Sequence, residues 1–303
     1  MKFIDYLFAS RPFLHVPVWS VFLVCLHYHL ELTQGSFAWR HLLMMACLSL
    51  LAAGAYYVNQ IYDYESDRIN KKLGFLQKGL VKPSTLIILY VIAGLVAVAA
   101  SLVYSTVVTF ILLQGFVLGF IYSAPPLRLK DRPLAGLLAN AYAFGLLVPM
   151  TVMPGLNSQN AGLLGWDNPF YFFLAVASVH VMTTLPDRAG DRSTGKRTVA
   201  VVLPPLVAKL LTLLLLIAAV WVAWRSQYAA LVYLAVFSTL PVIFSMIMPI
   251  PSLELLAAKL PIGLLTLLAG YFFLGYLLFI VALVIVTRIY YLRRFGILYP
   301  KLI

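Results

Sequence analysis

Two groups of aspartates have the residue types and the spacing that metal-assisted chemistry needs. In the first group, Asn59, Asp63 and Asp67 follow one another at intervals of four residues, which places them on one helical face, one turn apart. Asp187 and Asp191 repeat that interval later in the chain. Carboxylates one turn apart repel each other unless a cation lies between them, and hard oxygen ligands suit Mg²⁺. We therefore expect the two aspartate pairs to face each other and to hold Mg²⁺.

Lysines and arginines outnumber the acids around both groups. They are Arg68, Lys71, Lys72 and Lys78 near the first, Arg188, Arg192, Lys196 and Arg197 near the second, and Arg128 and Lys130 between them in sequence. Carboxylates for a divalent metal, surrounded by surplus cations, are suited to receiving a highly charged anion such as a diphosphate. The alternative is a solvated loop with helix caps and surface ion pairs, such as Asp67 with Lys71 or Asp187 with Arg192.

The composition predicts where such a site must lie. Of the 303 residues, 63% are hydrophobic and 11% are charged, and the mean hydropathy is +0.96. So few charges could not cover a water-soluble surface, whereas a bilayer requires only the loops to be polar. Long continuous apolar stretches exclude disorder, a disulfide scaffold and a transmembrane β-barrel. We expect an all-α polytopic helical bundle, a single transmembrane domain over residues 1–303.

Apolar windows of about 19 residues, matched to a hydrocarbon core of about 30 Å, predict nine spans. They run near Phe13 to Leu32, His41 to Val58, Pro83 to Val103, Ser105 to Tyr122, Leu134 to Met153, Phe170 to Leu185, Leu206 to Trp224, Tyr228 to Met248 and Pro261 to Thr287. Both aspartate groups then fall just after a span, at the same membrane surface.

The distribution of basic residues predicts the orientation. On the side that carries the N-terminus there are 16 Lys and Arg, and before the last span the opposite side has only Arg40 and Arg225. Four more, Arg288, Arg293, Arg294 and Lys301, follow that span and are expected on the opposite side. By the positive-inside rule the N-terminus and the motif loops are cytoplasmic, in a multi-pass protein of the cell membrane. Although the net charge is +12, it forms no basic arm or tract, so we expect a lipid membrane and no nucleic acid as partner.

Three segments together resemble a known family. They are Asn59-xxx-Asp63-xxx-Asp67 with Asp187-xxx-Asp191, the intervening Tyr122-Ser-Ala-Pro-Pro-Leu-Arg128-Leu-Lys130, and Gly190-Asp191-Arg-Ser-Thr-Gly195-Lys196-Arg197-Thr198. In order, spacing and shared membrane side they resemble the UbiA superfamily of intramembrane prenyltransferases. The resemblance covers nearly the whole chain.

The resemblance implies Mg²⁺-dependent transfer of a prenyl group from a prenyl diphosphate to a hydrophobic acceptor taken from the bilayer. It assigns two Mg²⁺ ions to Asn59, Asp63 and Asp67 on one side and to Asp187 and Asp191 on the other. Candidates for contacts to the diphosphate are Arg68, Lys72, Arg128, Lys130 and Arg192, with Arg11 as an addition. Tyr122, which ends the fourth span beside the basic loop, is the candidate for stabilising an allylic cation through its aromatic face.

Two questions stay open at this point. One alternative function is a transporter for a phosphorylated or acidic solute, although such proteins usually carry ionisable residues at mid-membrane and these charges stop at one face. The acceptor is the other open question: an aromatic or quinone precursor, a glycerol-phosphate lipid or a carotenoid-like molecule all agree with the motifs.

Overall fold

Prolines begin many of the helices, because a missing N–H costs nothing in the first helical turn. The structure, a computed structural model, describes residues 2–69, 74–152 and 163–300. Its helices are α1 (Lys2–Ala9), α2 (Val16–Thr33), α3 (Trp39–Tyr62), α4 (Tyr64–Ile69), α5 (Pro83–Ser101), α6 (Thr106–Ile121), α7 (Pro133–Asn140), α8 (Val148–Met150), α9 (Leu163–Thr184), α10 (Arg188–Ser193), α11 (Val199–Val202), α12 (Pro205–Arg225), α13 (Ala229–Ile247), α14 (Pro251–Phe272) and α15 (Leu274–Phe295). Within those ranges there is no strand. The predicted all-α bundle is confirmed.

Eight helical stretches in the described ranges are long and apolar enough to cross a membrane. They include α2, α3, α5 and the four helices from α12 to α15. The stretch containing α2 has the largest buried share, 61%, and α15 has the smallest, 17%. α2 therefore lies at the centre of the bundle, and α15 lies at its periphery with most of its surface available to lipid. The chain is a multi-pass membrane protein.

The last predicted span has the wrong boundaries. Residues 261–287 do not form one helix, because the chain leaves helical geometry at Phe273 (φ −133°, ψ 86°) between two helices of 22 residues each. α14 also begins earlier than predicted, at Pro251. Glu254 in its first turn forms an ion pair of 2.7 Å with Lys209, and this pairing allows both charges to lie within helices.

Long-range contacts define the two ends of the bundle. At the motif end, which carries Asp63 and Asp191, Arg294 forms an ion pair of 2.9 Å with Asp5. At the far end, the rings of Phe37 and Phe273 lie 5.5 Å apart. α15 therefore runs from the far end back to the motif end. The prediction that Arg294 lies on the side opposite the N-terminus is wrong, because the predicted single span is two helices.

A π-helical segment at Ala141–Leu147 separates α7 from α8. Two features of the sequence account for it. Pro149 lacks the N–H that a regular helix would use to bond the carbonyl of Gly145. Gly145 also packs so closely against α9 that a Cβ there would lie 2.5 Å from the Cα of Phe173. The segment thus widens the helix turn beside α9.

The position of α15 gives a topology prediction. In a background without Cys25 and Cys47, we expect Lys78→Cys and Ile297→Cys to react with an impermeant thiol reagent from the same, cytoplasmic, face. Ile297 is exposed and follows the end of α15. Gln227→Cys, at the far end, should react only from the other face. Labelling of Ile297→Cys together with Gln227→Cys would contradict the return of α15 to the motif end.

Candidate active site

The first motif keeps its helical spacing although the helix is interrupted. α3 ends at Tyr62, and Asp63 takes a turn conformation before α4 begins. Even so, the N–H of Asp63 donates to the carbonyl of Asn59 (2.9 Å), and the N–H of Asp67 donates to that of Asp63 (2.8 Å). The three side chains therefore remain one turn apart, and both aspartates are buried.

The second motif lies against the first. Asp187 immediately precedes α10, and the N–H of Asp191 donates to the carbonyl of Asp187 at 2.9 Å. Beyond α10, Gly195 has a φ of +74°, a conformation that is readily adopted only by glycine. That turn directs the side chain of Lys196 back toward Asp191, where the two charged groups are 3.8 Å apart. α4 and α10 pack against each other, and Lys196 reaches Asp63 of the first motif as well as Asp191 of the second.

The loop after α6 supplies the third part of the site. It folds back on itself, because the N–H of Lys130 donates to the carbonyl of Tyr122 at 3.0 Å. The ammonium of Lys130 is buried and lies 2.9 Å from a carboxylate oxygen of Asp63. Lys196 donates a hydrogen bond to that same oxygen. Asp63 thus receives two lysines from two different loops.

These contacts determine the charge state of the centre. Burial alone would raise the pKa of Asp63, but Lys130 and Lys196 overcome it and hold that pKa at about 2. Burial lowers the pKa of Lys130, with Asp63 opposing the shift. For Lys196 burial also favours the neutral form, but Asp63 outweighs it and the pKa is raised. Asp63 is therefore ionised at every physiological pH, and its charge is compensated by lysine.

Other predicted residues occupy different surroundings. Arg11 contacts Asp67 at 3.2 Å. The N-terminal segment therefore adds a cation to the group formed by Asp63, Asp67, Asp191, Lys130 and Lys196, which we call the carboxylate centre. Arg128 pairs instead with Asp131 at 2.8 Å, and Arg68 is 66% exposed and pairs with Glu65. The remaining predicted contacts are Arg192, which is exposed, and Lys72, which lies outside the described residues. Their proposed role as contacts to a diphosphate stays a prediction.

Lys196 is not among the residues that the sequence indicates as contacts to a diphosphate. It is central to the observed cluster because it touches Asp63 and approaches Asp191. The signal for it is the preceding Gly195, since a glycine turn after a short helix brings the next side chain back over that helix. Thr198 also belongs here, as its hydroxyl donates to Asp191 at 3.4 Å.

An apolar cavity of about 280 Å³, the central cavity, opens beside the cluster of Asp63, Lys130 and Lys196. Asn59 and Tyr122 line it near the motif end, and Leu48 and Thr151 line it deeper in the bundle. Asn59 and Leu48 are eleven residues apart on α3, which corresponds to a depth of about 16 Å. Small side chains make room for it: Ala52, Ala55, Gly115, Gly119, Ala139 and Ala143. The cavity has the shape and lining for a linear hydrocarbon chain.

The carboxylate oxygens of the site fit a divalent cation whose coordination shell is completed by a bound ligand. Asp63, Asp67 and Asp191 are buried carboxylates, and side chains of lysine and arginine lie against them. In the described ranges, no three His, Cys, Asp or Glu side chains are close enough to hold a metal without help. Mg²⁺ commonly takes one or two carboxylates and completes its shell with water and phosphate oxygens. The arrangement therefore suits Mg²⁺ that arrives with a phosphorylated ligand.

Comparison with known proteins places the whole arrangement in one family. The model of the UbiA prenyltransferase family matches residues 18–253. A probable homogentisate phytyltransferase 2 from Oryza sativa is 31% identical over 155 residues, covering 48% of this chain and 40% of that protein. A digeranylgeranylglyceryl phosphate synthase from Sulfurisphaera tokodaii is 28% identical over 169 residues, covering 53% and 56%. A lycopene elongase/hydratase from Corynebacterium glutamicum is 29% identical over 190 residues, covering 59% and 65%. The matches thus span 40–65% of these relatives' lengths.

Solved structures share the fold over nearly their full length. A UbiA homolog from Archaeoglobus fulgidus bound to GPP and Mg²⁺ superposes with a TM-score of 0.68 at 16% identity, covering 90% of this chain and 99% of its own. A UbiA homolog from Aeropyrum pernix K1 has a TM-score of 0.67 at 18% identity, covering 86% and 97%. The matched fold, the family model and the facing aspartate motifs agree, and this chain belongs to the UbiA prenyltransferase family.

Proposed function

We propose that this protein transfers a prenyl group from a prenyl diphosphate to a lipid-soluble acceptor, with Mg²⁺ as cofactor. The observation that carries the proposal is the position of the apolar cavity, which opens at Asn59 and Tyr122 beside the cluster of Asp63, Lys130 and Lys196. If the prenyl chain lay in the apolar cavity and the diphosphate lay against the charged cluster, the C–O bond that joins them would lie at the boundary between the cavity and the cluster. Membership of the family favours transfer over transport.

The diphosphate would be received by cations that are already in place. Lys130, Lys196 and Arg11 lie within the carboxylate centre, and Arg68, Lys72, Arg128 and Arg192 remain candidates at its edge. Bound Mg²⁺, held by Asn59 and by the two aspartate pairs, would supply the positive charge that neutralises the leaving diphosphate. A UbiA homolog from Archaeoglobus fulgidus was solved with GPP and Mg²⁺, which supports a prenyl diphosphate and Mg²⁺ as the ligands.

The residues of this chain would then protect a short-lived cation. When the allylic C–O bond breaks, its electron pair leaves with the diphosphate and the prenyl carbon becomes positive. The ring of Tyr122 lines the cavity at this position and could stabilise that carbon by about 0.5–2 kcal/mol. The apolar cavity walls keep water away until the acceptor forms the new carbon bond and releases a proton.

The relatives divide among three acceptor classes. Their names indicate homogentisate, which is a polar aromatic acid, and glyceryl phosphate lipids and lycopene, which are molecules of the membrane. We propose an acceptor that enters from the bilayer. We also propose that the motif end faces the cytoplasm in the cell membrane, since the Lys and Arg concentrate at that end.

Binding of the donor tests this proposal without knowledge of the acceptor. Purified protein should bind geranyl diphosphate in the presence of Mg²⁺ and lose that binding on chelation. Lys130→Ala should weaken binding about tenfold, because it removes a buried charge-assisted contact. Arg128→Ala should weaken binding less, since its guanidinium pairs with Asp131. Arg132→Ala, an exposed arginine of the same loop, is the control. Equal binding with and without Mg²⁺ by all four proteins would refute the proposed site.

A further inference from the structure

One partly buried arginine at the motif end has no partner within the protein. Arg188 is the first residue of α10, and the Nε–H of its guanidinium is buried and makes no hydrogen bond. Arg11, Arg128 and Arg294 are also partly buried, but each of them lies within 3.2 Å of a carboxylate oxygen. Among the arginines that the structure describes, Arg188 is therefore the one that is partly buried and has no ion pair.

This state of Arg188 is unfavourable in the free protein. A buried polar group costs free energy unless it has a hydrogen-bond partner, and the cost is larger when the group is charged. Arg132 and Arg192 avoid that cost because they are exposed and water can solvate them. No described residue offers the buried Nε–H of Arg188 an acceptor. An acceptor that arrives with a ligand would remove the cost.

Arg188 borders the carboxylate centre. Each residue of a helix turns by about 100°, so the side chain of Arg188 leaves α10 about 60° from that of Asp191. Asp191 is buried and lies 3.8 Å from Lys196, which also contacts Asp63. α10 packs against α4, the helix that carries Asp67. A ligand bound at the carboxylate centre would therefore lie beside the guanidinium of Arg188.

The cations within the carboxylate centre are already engaged. Lys130 and Lys196 both contact Asp63, and Arg11 contacts Asp67. An anionic ligand must compete with these carboxylates for the three side chains. Arg188 has no such competitor, because its guanidinium makes no hydrogen bond and no ion pair with any residue of the described ranges. The planar fork of N–H donors on an arginine matches the oxygens of a phosphate group.

We propose that Arg188 is a further contact to the prenyl donor, and that its guanidinium binds the diphosphate. This assignment rests on the proposed prenyl transfer, because Mg²⁺ held by Asp187 and Asp191 would bring phosphate oxygens to α10. The four-residue interval of the second motif specifies its two aspartates and leaves the residues between them open. Arg188 occupies one of those positions, so its role comes from its burial and its lack of a partner.

The stability of the ligand-free protein separates this role from a structural one. Arg188→Met should leave the Tm of the purified full-length protein unchanged or raise it, because it removes a buried polar group and breaks no contact. Lys130→Met is the contrasting variant. It should lower the Tm, because it removes one of the two lysines that contact Asp63. A clear decrease in Tm for Arg188→Met would assign Arg188 to the stability of the fold and would overturn the proposal.

Donor binding then measures the contact itself. In the presence of Mg²⁺, Arg188→Met should weaken the binding of geranyl diphosphate about tenfold or more. It should weaken competition by inorganic pyrophosphate to a similar extent, since pyrophosphate carries the same two phosphate groups. Arg188→Lys should weaken binding several-fold, because a point charge does not replace a planar fork. The control is Arg132→Met, since Arg132 is exposed, and it should bind both ligands like the parent protein.

Two results would contradict the contact, and both are distinct from failure of the proposed function. If the parent protein binds geranyl diphosphate only with Mg²⁺ and Arg188→Met binds it equally well, only the assignment of Arg188 is wrong. If Arg188→Met weakens geranyl diphosphate but not pyrophosphate, its contact is not to the diphosphate and the assignment is also wrong. If the parent protein does not bind geranyl diphosphate with Mg²⁺, the proposed donor itself is wrong.

Discussion

Asp191→Asn is expected to lower the rate of prenyl transfer about a hundredfold to a thousandfold. The substitution removes one of the buried carboxylates that would hold Mg²⁺ against the diphosphate, and loss of such electrostatic stabilisation typically costs two to three orders of magnitude in rate. Asp63→Asn should have at least as large an effect on rate. The measurement is the formation of prenylated product at saturating Mg²⁺, with both variants compared with the parent protein.

The two variants should differ in stability. Asp63 compensates Lys130 and Lys196, so Asp63→Asn leaves two ammonium groups close together in a buried site. Breaking such a buried pair costs about 3–5 kcal/mol, and thermal unfolding in detergent should show the loss. The pKa of Asp63 is lowered to about 2 in the folded protein. The stabilising effect of its carboxylate is therefore fully present above the pKa that this carboxyl group has in the unfolded chain, and it is lost as the pH falls from there toward 2. The stability that the parent protein owes to ionised Asp63 should therefore be constant from pH 5 to pH 8.

Glu65→Gln is the matched control for both aspartates. Its carboxylate belongs to the same short helix, α4, but it is 60% exposed and pairs with Arg68. We expect transfer and stability close to those of the parent protein, since exposed pairs contribute little. A loss of activity in Glu65→Gln equal to that in Asp191→Asn would show that general acidity of the segment matters, and not the two facing aspartate pairs.

Ala55→Phe is expected to change the length of prenyl donor that the protein accepts. Ala55 lines the central cavity one turn below Asn59, about 6 Å along the helix. A phenyl ring there fills part of a cavity of about 280 Å³. Dimethylallyl diphosphate should still react, whereas kcat/KM for geranylgeranyl diphosphate should fall about a hundredfold or more.

The control for that experiment is Ala99→Phe, an exposed alanine on α5, which should leave the ratio between the two donors unchanged. Overpacking by Ala55→Phe costs about 1–3 kcal/mol, and the short donor serves as an internal check that the variant is folded. Equal losses for short and long donors would mean that the prenyl chain lies elsewhere.

Much of the fold follows from the sequence, because apolar length and proline positions determine where helices cross a membrane. The exception is the segment that contains Phe273, where one apolar run covers two helices. Hydropathy cannot separate two spans joined by a single non-helical residue. It also places the start of α14 too late, since the pairing of Glu254 with Lys209 is a tertiary contact that no local window contains.

The candidate site was predictable in part. The four-residue intervals predict that each pair of aspartates lies one turn apart, and the membrane side of the loops predicts that the pairs meet. Which cations reach the carboxylates depends on loop conformation. Arg128 and Lys130 are two residues apart, but only Lys130 contacts Asp63, because Arg128 takes a left-handed conformation (φ 40°) and pairs with Asp131. Lys196 enters the cluster through the turn at Gly195.

The most direct test of prenyl transfer is the identification of its product. Purified protein is incubated with isotope-labelled prenyl diphosphates, Mg²⁺ and a lipid extract of its own membranes, and products are identified by mass spectrometry. We expect a labelled lipid whose mass equals that of an extract component plus the prenyl group minus one hydrogen, formed together with free diphosphate. This product should be absent after chelation and at least a hundredfold reduced in Asp191→Asn. Recovery of the label only as unreacted prenyl diphosphate or prenyl alcohol, from protein shown to be folded, would contradict it.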